Sequence, residues 1–497
     1  MELNDDYGRR IRSSYEIAQE RFKYTPPVEE SVNPATAMPD PDATYDESIF
    51  VKEDHITIRD NTFLRSPVKA PNVLPSTQDH EPDEDTFQLD NLTALTSVNH
   101  QESEMPNLPE VLPEEYEVAT QWGGPMFDYG GFARMNRSYI IGLKRRGALI
   151  RTRCMDTITD VNRKTEDFLR QLEQTKIPGK YPRVYGMTIP DLIAHSGPKI
   201  LYTMMETSNK IHPELAERYN MADEIWVPCT WNKEVYENSG VSRPINVMPL
   251  GVDTNQFKPG DGRIDLKAKE FRFLAVSGWS YRKGFDVLIQ SFLEEFSSKD
   301  NVSLVIASKY VGQIEKKNRI ISDFSYIKSL VSKPESELPH VCLYSAKTKD
   351  SDMPHLYNSA HCFVLPSRGE GWGLPYIEAG ACGLPVIASD HGGQRDFLDE
   401  EVAYMVPPDG YFVSNREDPQ FRNLAWISHF YEGQEFPHFG RPAMDLIKGH
   451  MRHVFENYSE AKEKGSKLRQ RLVDKFQWSH AIDRVYSRLK EICSELG

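Results

Sequence analysis

Cys362-Phe363-Val364-Leu365-Pro366-Ser367-Arg368-Gly369-Glu370-Gly371-Trp372-Gly373-Leu374-Pro375-Tyr376-Ile377-Glu378-Ala379-Gly380 decides the fold. An apolar run of strand length ends in a glycine-rich loop and passes into a segment that opens on proline, which reads as strand, loop, helix. Pro375 suits a first helical turn, where the backbone N–H needs no partner and φ is already helical. Gly383 and Pro385 suit the exit, so the spacing predicts a helix over 375–382. The amides of Gly371, Gly373 and the first turn have no partner inside that helix and lie at the positive end of its dipole. They are suited to a phosphate or a sugar oxygen. Glu370 lies in the loop and Glu378 on the helix, so the two carboxylates approach one ligand from different levels, each able to accept two hydroxyl hydrogen bonds. That pattern suits a hydroxyl-rich ligand built around a diphosphate; a helix with one solvated acid at either end is the plainer alternative.

Working outward, short β-branched or aromatic runs alternate with amphipathic stretches from about Glu117 onward, the signature of parallel α/β units. Strands are expected at 181–187, 199–204, 224–228 and 245–250. A second series follows the loop Lys258-Pro259-Gly260-Asp261-Gly262, at 271–277, 302–307, 341–344, 362–366 and 386–389. The fold class expected is α/β, two doubly wound Rossmann-like domains facing a central cleft, with ligands at the carboxyl ends of the strands. The domains are set at 116–262 and 263–477. Residues 478–497 carry Ile482, Val485, Tyr486, Leu489, Ile492 and Leu496 at helical spacing. Residues 1–115 form a leader with 9 Lys+Arg against 25 Asp+Glu and 12 of the 33 prolines, while the remainder is within one charge of neutral. The leader is expected to be largely disordered, apart from one apolar stripe at Tyr7, Ile11, Tyr15, Ala18 and Phe22. A neutral body without a basic, aromatic-interleaved stripe argues against nucleic-acid binding as the main role.

Glu370 and Glu378, with Gly371-Trp372-Gly373-Leu374-Pro375 between them, resemble the E-x7-E motif of retaining GT-B glycosyltransferases of family 4, the glycosyl transferases group 1. The resemblance covers roughly residues 118–496. It implies transfer of a sugar from a nucleoside diphosphate sugar, with Glu370 on the transferred sugar, Glu378 on the ribose, and Gly371, Trp372, Gly373 and Leu374 around the donor. The strand and turn Phe271 to Gly284 resemble the family's phosphate-binding turn. There Arg282 and Lys283 are adjacent cations placed to neutralise a leaving diphosphate. Many family members carry an arginine after the first glycine of this turn; Trp279 occupies that place here. Gly130 and Gly131, ahead of a helix reaching Leu143, resemble the family's first glycine loop, a second approach to the donor. Glu206, after the strand ending near Met204, lies where many members place an acceptor-side polar residue, often histidine. His391 belongs to a polar glycine turn, Ser389 to Asp396, that lines the cleft. The terminal helix is implied to cross back to the first domain.

The resemblance implies a same-face route, with the departing phosphate taking the acceptor proton. The alternative left open by Trp279 is a catalytically degenerate protein of the same fold that binds a nucleotide sugar or a partner. A dinucleotide-dependent oxidoreductase is disfavoured because the third glycine after Gly369 and Gly371 comes one residue early. No cofactor and no metal are expected: DxD triplets fall at Asp40–Asp42, Asp83–Asp85 and Asp350–Asp352 without a strand-end context. The six cysteines show no CxxC spacing and read as reduced thiols. No apolar run of membrane-spanning length and no signal peptide is present, so the expected location is cytoplasmic. The expected partners are a nucleotide sugar, an acceptor of unassigned kind (glycan, lipid, protein or small molecule) and, for the acidic leader, a candidate protein partner.

Overall fold

The computed structural model describes residues 51–52, 55–57, 116–128, 130–156, 161–189, 196–308, 314–344, 350–415 and 428–496. In chain order the strands are β1 Val51–Lys52, β2 His55–Thr57, β3 Ala119–Gly124, β4 Leu149–Cys154, β5 Arg183–Gly186, β6 Lys199–Tyr202, β7 Glu224–Val227 and β8 Ile245–Val247. They continue as β9 Phe271–Val276, β10 Val302–Ala307, β11 His340–Tyr344, β12 Cys362–Leu365, β13 Val386–Ser389, β14 Tyr404–Val406, β15 Gly410–Val413 and β16 Glu435–His438. Five helices matter most for the site: α1 Gly131–Arg145, α2 Thr230–Asn238, α3 Phe285–Glu295, α4 Leu374–Ala381 and α5 Trp478–Glu495.

The first sheet is six parallel strands in the order β4-β3-β5-β6-β7-β8. The second has the order β1-β2-β11-β10-β9-β12-β13-β14 and is parallel from β11 to β14. Helices cover both faces of such sheets, so their strands read as continuous apolar runs: every residue of β10, β12 and β13 is buried. Gly123 and Gly124 close β3. Gly124 has φ +148°, and a Cβ there would lie 2.5 Å from the Gly186 carbonyl on β5, so only glycine fits.

Of the leader, the described residues are β1 and β2. They pair antiparallel, and β2 runs antiparallel along β11 with Ile56 opposite Leu343. The apolar stripe from Tyr7 to Phe22 and the rest of residues 1–115 lie outside the described residues.

After Phe476 the chain returns to the first domain as α5. Ile482 fills the space over Gly142 of α1, where a Cβ would lie 2.0 Å from it. Trp478 meets Tyr139 edge-on at 5.4 Å, and Arg488 pairs with Glu224 at 2.7 Å. Ile482, Val485, Leu489 and Ile492 are buried, each contributing roughly 1.5–3 kcal/mol. Val252 bridges Gln477 in parallel, so the two passages between domains lie side by side.

One excursion departs from the doubly wound pattern. Between β14 and the helix Arg441–Glu456, the antiparallel pair β15–β16 and the short helix Ser428–Tyr431 reach the first domain. There Phe430, Tyr431 and Phe436 join a core with Met205, Ile211, Leu215 and Tyr219, and Ser208 N–H donates to the Glu435 carbonyl at 2.8 Å.

Candidate functional site

The turn after β9 is Tyr281–Lys283, a single turn of 3-10 helix closed by Gly284. Gly284 has φ +69°, and a Cβ there would lie 2.0 Å from the Pro366 carbonyl, so glycine lets the turn rest on the loop that follows β12. Arg368 of that loop fastens the turn. Its side chain is 2% exposed and forks onto Asp286 of α3 at 2.8 and 2.7 Å; its guanidinium also lies 3.7 Å over the Tyr281 ring and donates to the Tyr281 carbonyl at 2.7 Å. Planar fork geometry and ring stacking are what arginine supplies and lysine does not. Trp279, in the place of the family's arginine, stacks on Phe285 at 4.7 Å and donates its indole N–H to Asp323 at 2.9 Å. It packs the turn from outside.

The two cations of the turn face the glutamate loop. Lys283 Nζ lies 2.6 Å from Glu370 Oε1. Burial raises the Glu370 pKa, but the charges of Lys283 and Arg282 outweigh it and hold the carboxyl below the usual carboxylate range. Burial and the neighbouring Arg282 pull the Lys283 ammonium down, against the attraction of Glu370. Arg282 donates Nη1–H to the Gly369 carbonyl and places Nη2 3.3 Å from Glu206 Oε1 across the cleft. Burial lowers the Arg282 pKa, but Glu206 more than compensates and leaves it raised.

Glu378 lies on α4, whose start at Leu374 follows Gly373 with φ +97°. It is buried. Its Oε2 accepts from the Tyr357 hydroxyl at 2.9 Å, and its Oε1 pairs with Arg134 of α1, from the other domain. At Gly131 a Cβ would meet nothing within 4 Å, so the backbone there stands open, whereas the Gly130 N–H is taken by Asp128 Oδ1 and a Cβ there would lie 2.7 Å from that oxygen. Glu370 and Glu378 are thus held by different cations on different elements.

On the facing domain, Glu206 accepts from the Tyr431 hydroxyl at 2.6 Å. Met204 lies against Gly371, where a Cβ would come within 2.8 Å of it, and Cys229 Sγ–H donates to the Gly371 carbonyl at 3.2 Å. Thr230, first residue of α2, donates its N–H and hydroxyl to Asp396 at 3.1 and 2.6 Å. His391 is buried with its ring 4.4 Å from that of Trp231 and its Nε2 3.2 Å from Ser208 Oγ. Burial, helped by Arg395, holds its pKa down to about 3, so it is neutral at ordinary pH. The structure therefore brings Arg282, Lys283, Glu370, Gly371 and Glu206 to one place and holds Glu378 of α4 between Arg134 and Tyr357. Trp372 is buried against Phe397 and Phe476, its indole N–H without a partner. Among the described residues no three His, Cys, Asp or Glu side chains converge as a metal site, and no helix is long and apolar enough to cross a membrane.

Sequence reasoning missed Arg134, Tyr357, Arg368 and Tyr431. Arg134 and Arg368 stand inside stretches the reading singled out, and a cation beside a glycine loop was the available signal. Tyr357 and Tyr431 carried none, because their partners lie 21 and 225 residues away.

Two Rossmann-like sheets whose facing strand ends carry adjacent cations and separated carboxylates define the GT-B architecture. Residues 261–423 match the family model described as glycosyl transferases group 1. Mannosylfructose-phosphate synthase of Agrobacterium fabrum is 31% identical over 165 residues, 32% of this chain and 35% of that protein. A D-inositol 3-phosphate glycosyltransferase of Salinispora tropica is 28% identical over 231 residues, 43% of each. The chain thus spans about a third to two-fifths of the length of these relatives. The fold itself extends further. A sucrose-phosphate synthase from Thermosynechococcus elongatus aligns with TM-score 0.55 over 76% of this chain and 100% of that one, at 16% identity. Anabaena HepE, solved in complex with UDP and glucose, aligns with TM-score 0.51 over 75% and 100%, at 13% identity.

Proposed function

We propose that the protein is a retaining glycosyltransferase of family 4, moving a sugar from a nucleoside diphosphate sugar to an acceptor whose identity is open. The observation that carries this is the pairing of Lys283 with Glu370 at the ends of β9 and β12, inside the segment that matches the glycosyl transferases group 1. In this reading the bond from the anomeric carbon to the diphosphate breaks, and negative charge grows on the departing oxygen. Arg282, Lys283 and the amides from Gly371 to Leu374 stabilise that charge in a site walled from water, where fixed dipoles act most strongly. Glu370, kept ionised by Lys283, orients the sugar through its oxocarbenium-like transition state. Glu378, held by Tyr357 and Arg134, takes the ribose. The acceptor oxygen bonds to the same face of the anomeric carbon, and its proton passes to the departing phosphate oxygen. Gly130 and Gly131 give the donor a second backbone approach, Glu206 stands on the acceptor side, no metal takes part, and the reaction is cytoplasmic.

The test is thermal stabilisation of the purified chain by UDP-, GDP-, ADP- and TDP-linked sugars, because a ligand of the native state raises its stability by mass action. One nucleotide series is expected to raise the melting temperature, and Glu378→Ala to abolish the shift. No shift with any donor, from folded protein, would refute the reading.

A further inference from the structure

Tyr431 lies on the excursion between β15 and β16. Its backbone is tied down: its carbonyl accepts from the Ser414 hydroxyl and from the Gln434 N–H at 3.1 Å. Its ring is buried edge-on to Phe436 at 5.5 Å, inside the first domain's core. So the hydroxyl is presented from a fixed point, and it donates to Glu206 Oε2 at 2.6 Å, the short contact expected of a hydroxyl on a carboxylate.

What this does to Arg282 follows from its three guanidinium nitrogens, which carry five N–H donors between them. One Nη1–H is taken by the Gly369 carbonyl. Nη2 meets Glu206 Oε1 at 3.3 Å, long for a charge-assisted bond. Nε is buried and has no partner. A carboxylate beside a guanidinium ordinarily turns both oxygens onto it and neutralises it. Glu206 meets Arg282 through Oε1 alone, because its other oxygen, Oε2, is held by the Tyr431 phenol.

We infer that Tyr431 is a positioning residue that restrains Glu206 and thereby keeps the charge of Arg282 available to the diphosphate of the donor. The inference rests on the nucleotide-sugar reading above. It makes the excursion part of the donor site: a segment outside both sheets sets how much positive charge the turn after β9 presents. Without the phenolic hydroxyl, Glu206 turns fully onto Arg282, and an incoming diphosphate has to displace a carboxylate.

The experiment is calorimetric titration of the intact chain with UDP, and with GDP, ADP and TDP in parallel, using wild type, Tyr431→Phe, Glu206→Gln and the double variant. Tyr431→Phe is expected to weaken diphosphate binding about tenfold, the size of one hydrogen bond to a charged group. Glu206→Gln is expected to bind more tightly than wild type, and Tyr431→Phe to change nothing in that background. A merely structural role would give additive losses. Tyr431→Phe binding like wild type, or effects that add in the double variant, overturns the inference while leaving the transfer reading intact. No binding of any nucleoside diphosphate to wild type overturns both. Should Tyr431→Phe fail to fold, Glu206→Gln still decides: absence of tightening counts against the inference.

Discussion

Asp286→Ala is the perturbation whose size the geometry fixes best. Asp286 is the only carboxylate facing Arg368 among the described ion pairs, and it supplies both oxygens to that guanidinium. Removing one partner of a buried pair costs about 3–5 kcal/mol because a charge is left without compensation. Arg368 is 2% exposed but Asp286 is 36% exposed, so water can reach the place the carboxylate leaves, which brings the cost to about 2–3 kcal/mol. Two contacts to Tyr281 remain, one to its carbonyl and one to its ring. The assay is reversible guanidinium unfolding followed by circular dichroism, run as a cycle with Arg368→Met. With both charges gone no ion is stranded, so the double variant is expected to be no less stable than Asp286→Ala alone. A loss under about 0.5 kcal/mol for Asp286→Ala, the range of ordinary surface substitutions, would refute the argument that this pair fastens the turn. So would full additivity in the double variant.

Two other outcomes follow from the site. His391 has a folded pKa of about 3 against an ordinary value of 6.5, so between those limits the unfolded chain binds the proton and the native state does not. Stability therefore falls as pH drops from 6.5 toward 3, by about 1.4 kcal/mol per unit from this group, and His391→Gln is expected to flatten that limb in pH-dependent melting. An unchanged limb would show that the imidazole is protonated in place. Gly371→Ala puts a methyl 2.8 Å from Met204 Cγ and 2.9 Å from its Cβ, so it is expected to weaken nucleotide binding by holding the domains apart, and Met204→Gly, which removes both atoms, to restore it. Loss without rescue would assign the defect to the loop itself.

Most of the fold was legible because parallel strands are buried on both faces and therefore stand out as apolar runs. The runs at 302–307 and 386–389 coincide with β10 and β13, and the helix expected at 375–382 is α4, Leu374–Ala381, bounded by Gly373 and Gly383. Strand ends were overrun by one to three residues where an apolar run continued past the last ladder bond, as after Tyr202 and Val247. β3 is absent from the expected strands because Gln121 and two glycines among its six residues leave no apolar run. In the site, the residue types in each loop were visible, whereas the pairings were not. Arg134 and Glu378 are 244 positions apart, Arg282 and Glu206 76, and Tyr431 and Glu206 225. No local pattern encodes such pairings; only the closing of one domain on the other creates them. The excursion after β14 was also unread, since β15 alternates between half-buried and exposed residues and has too few positions to register as a period.

The return of α5 to the first domain also bears on how the chain is made. Gly142 and the face of α1 around it are covered by Ile482, and Glu224 on β7 meets its arginine, Arg488, only from the last helix. During synthesis from the amino terminus the ribosome must add more than 300 residues after α1 before α5 emerges, roughly 20–70 s at ordinary elongation rates. The first sheet is therefore translated early and finished last, and the nascent chain carries a bare apolar strip for that interval. A chain that stops short of Trp478 keeps every strand of both sheets, yet it has the solubility of an intermediate.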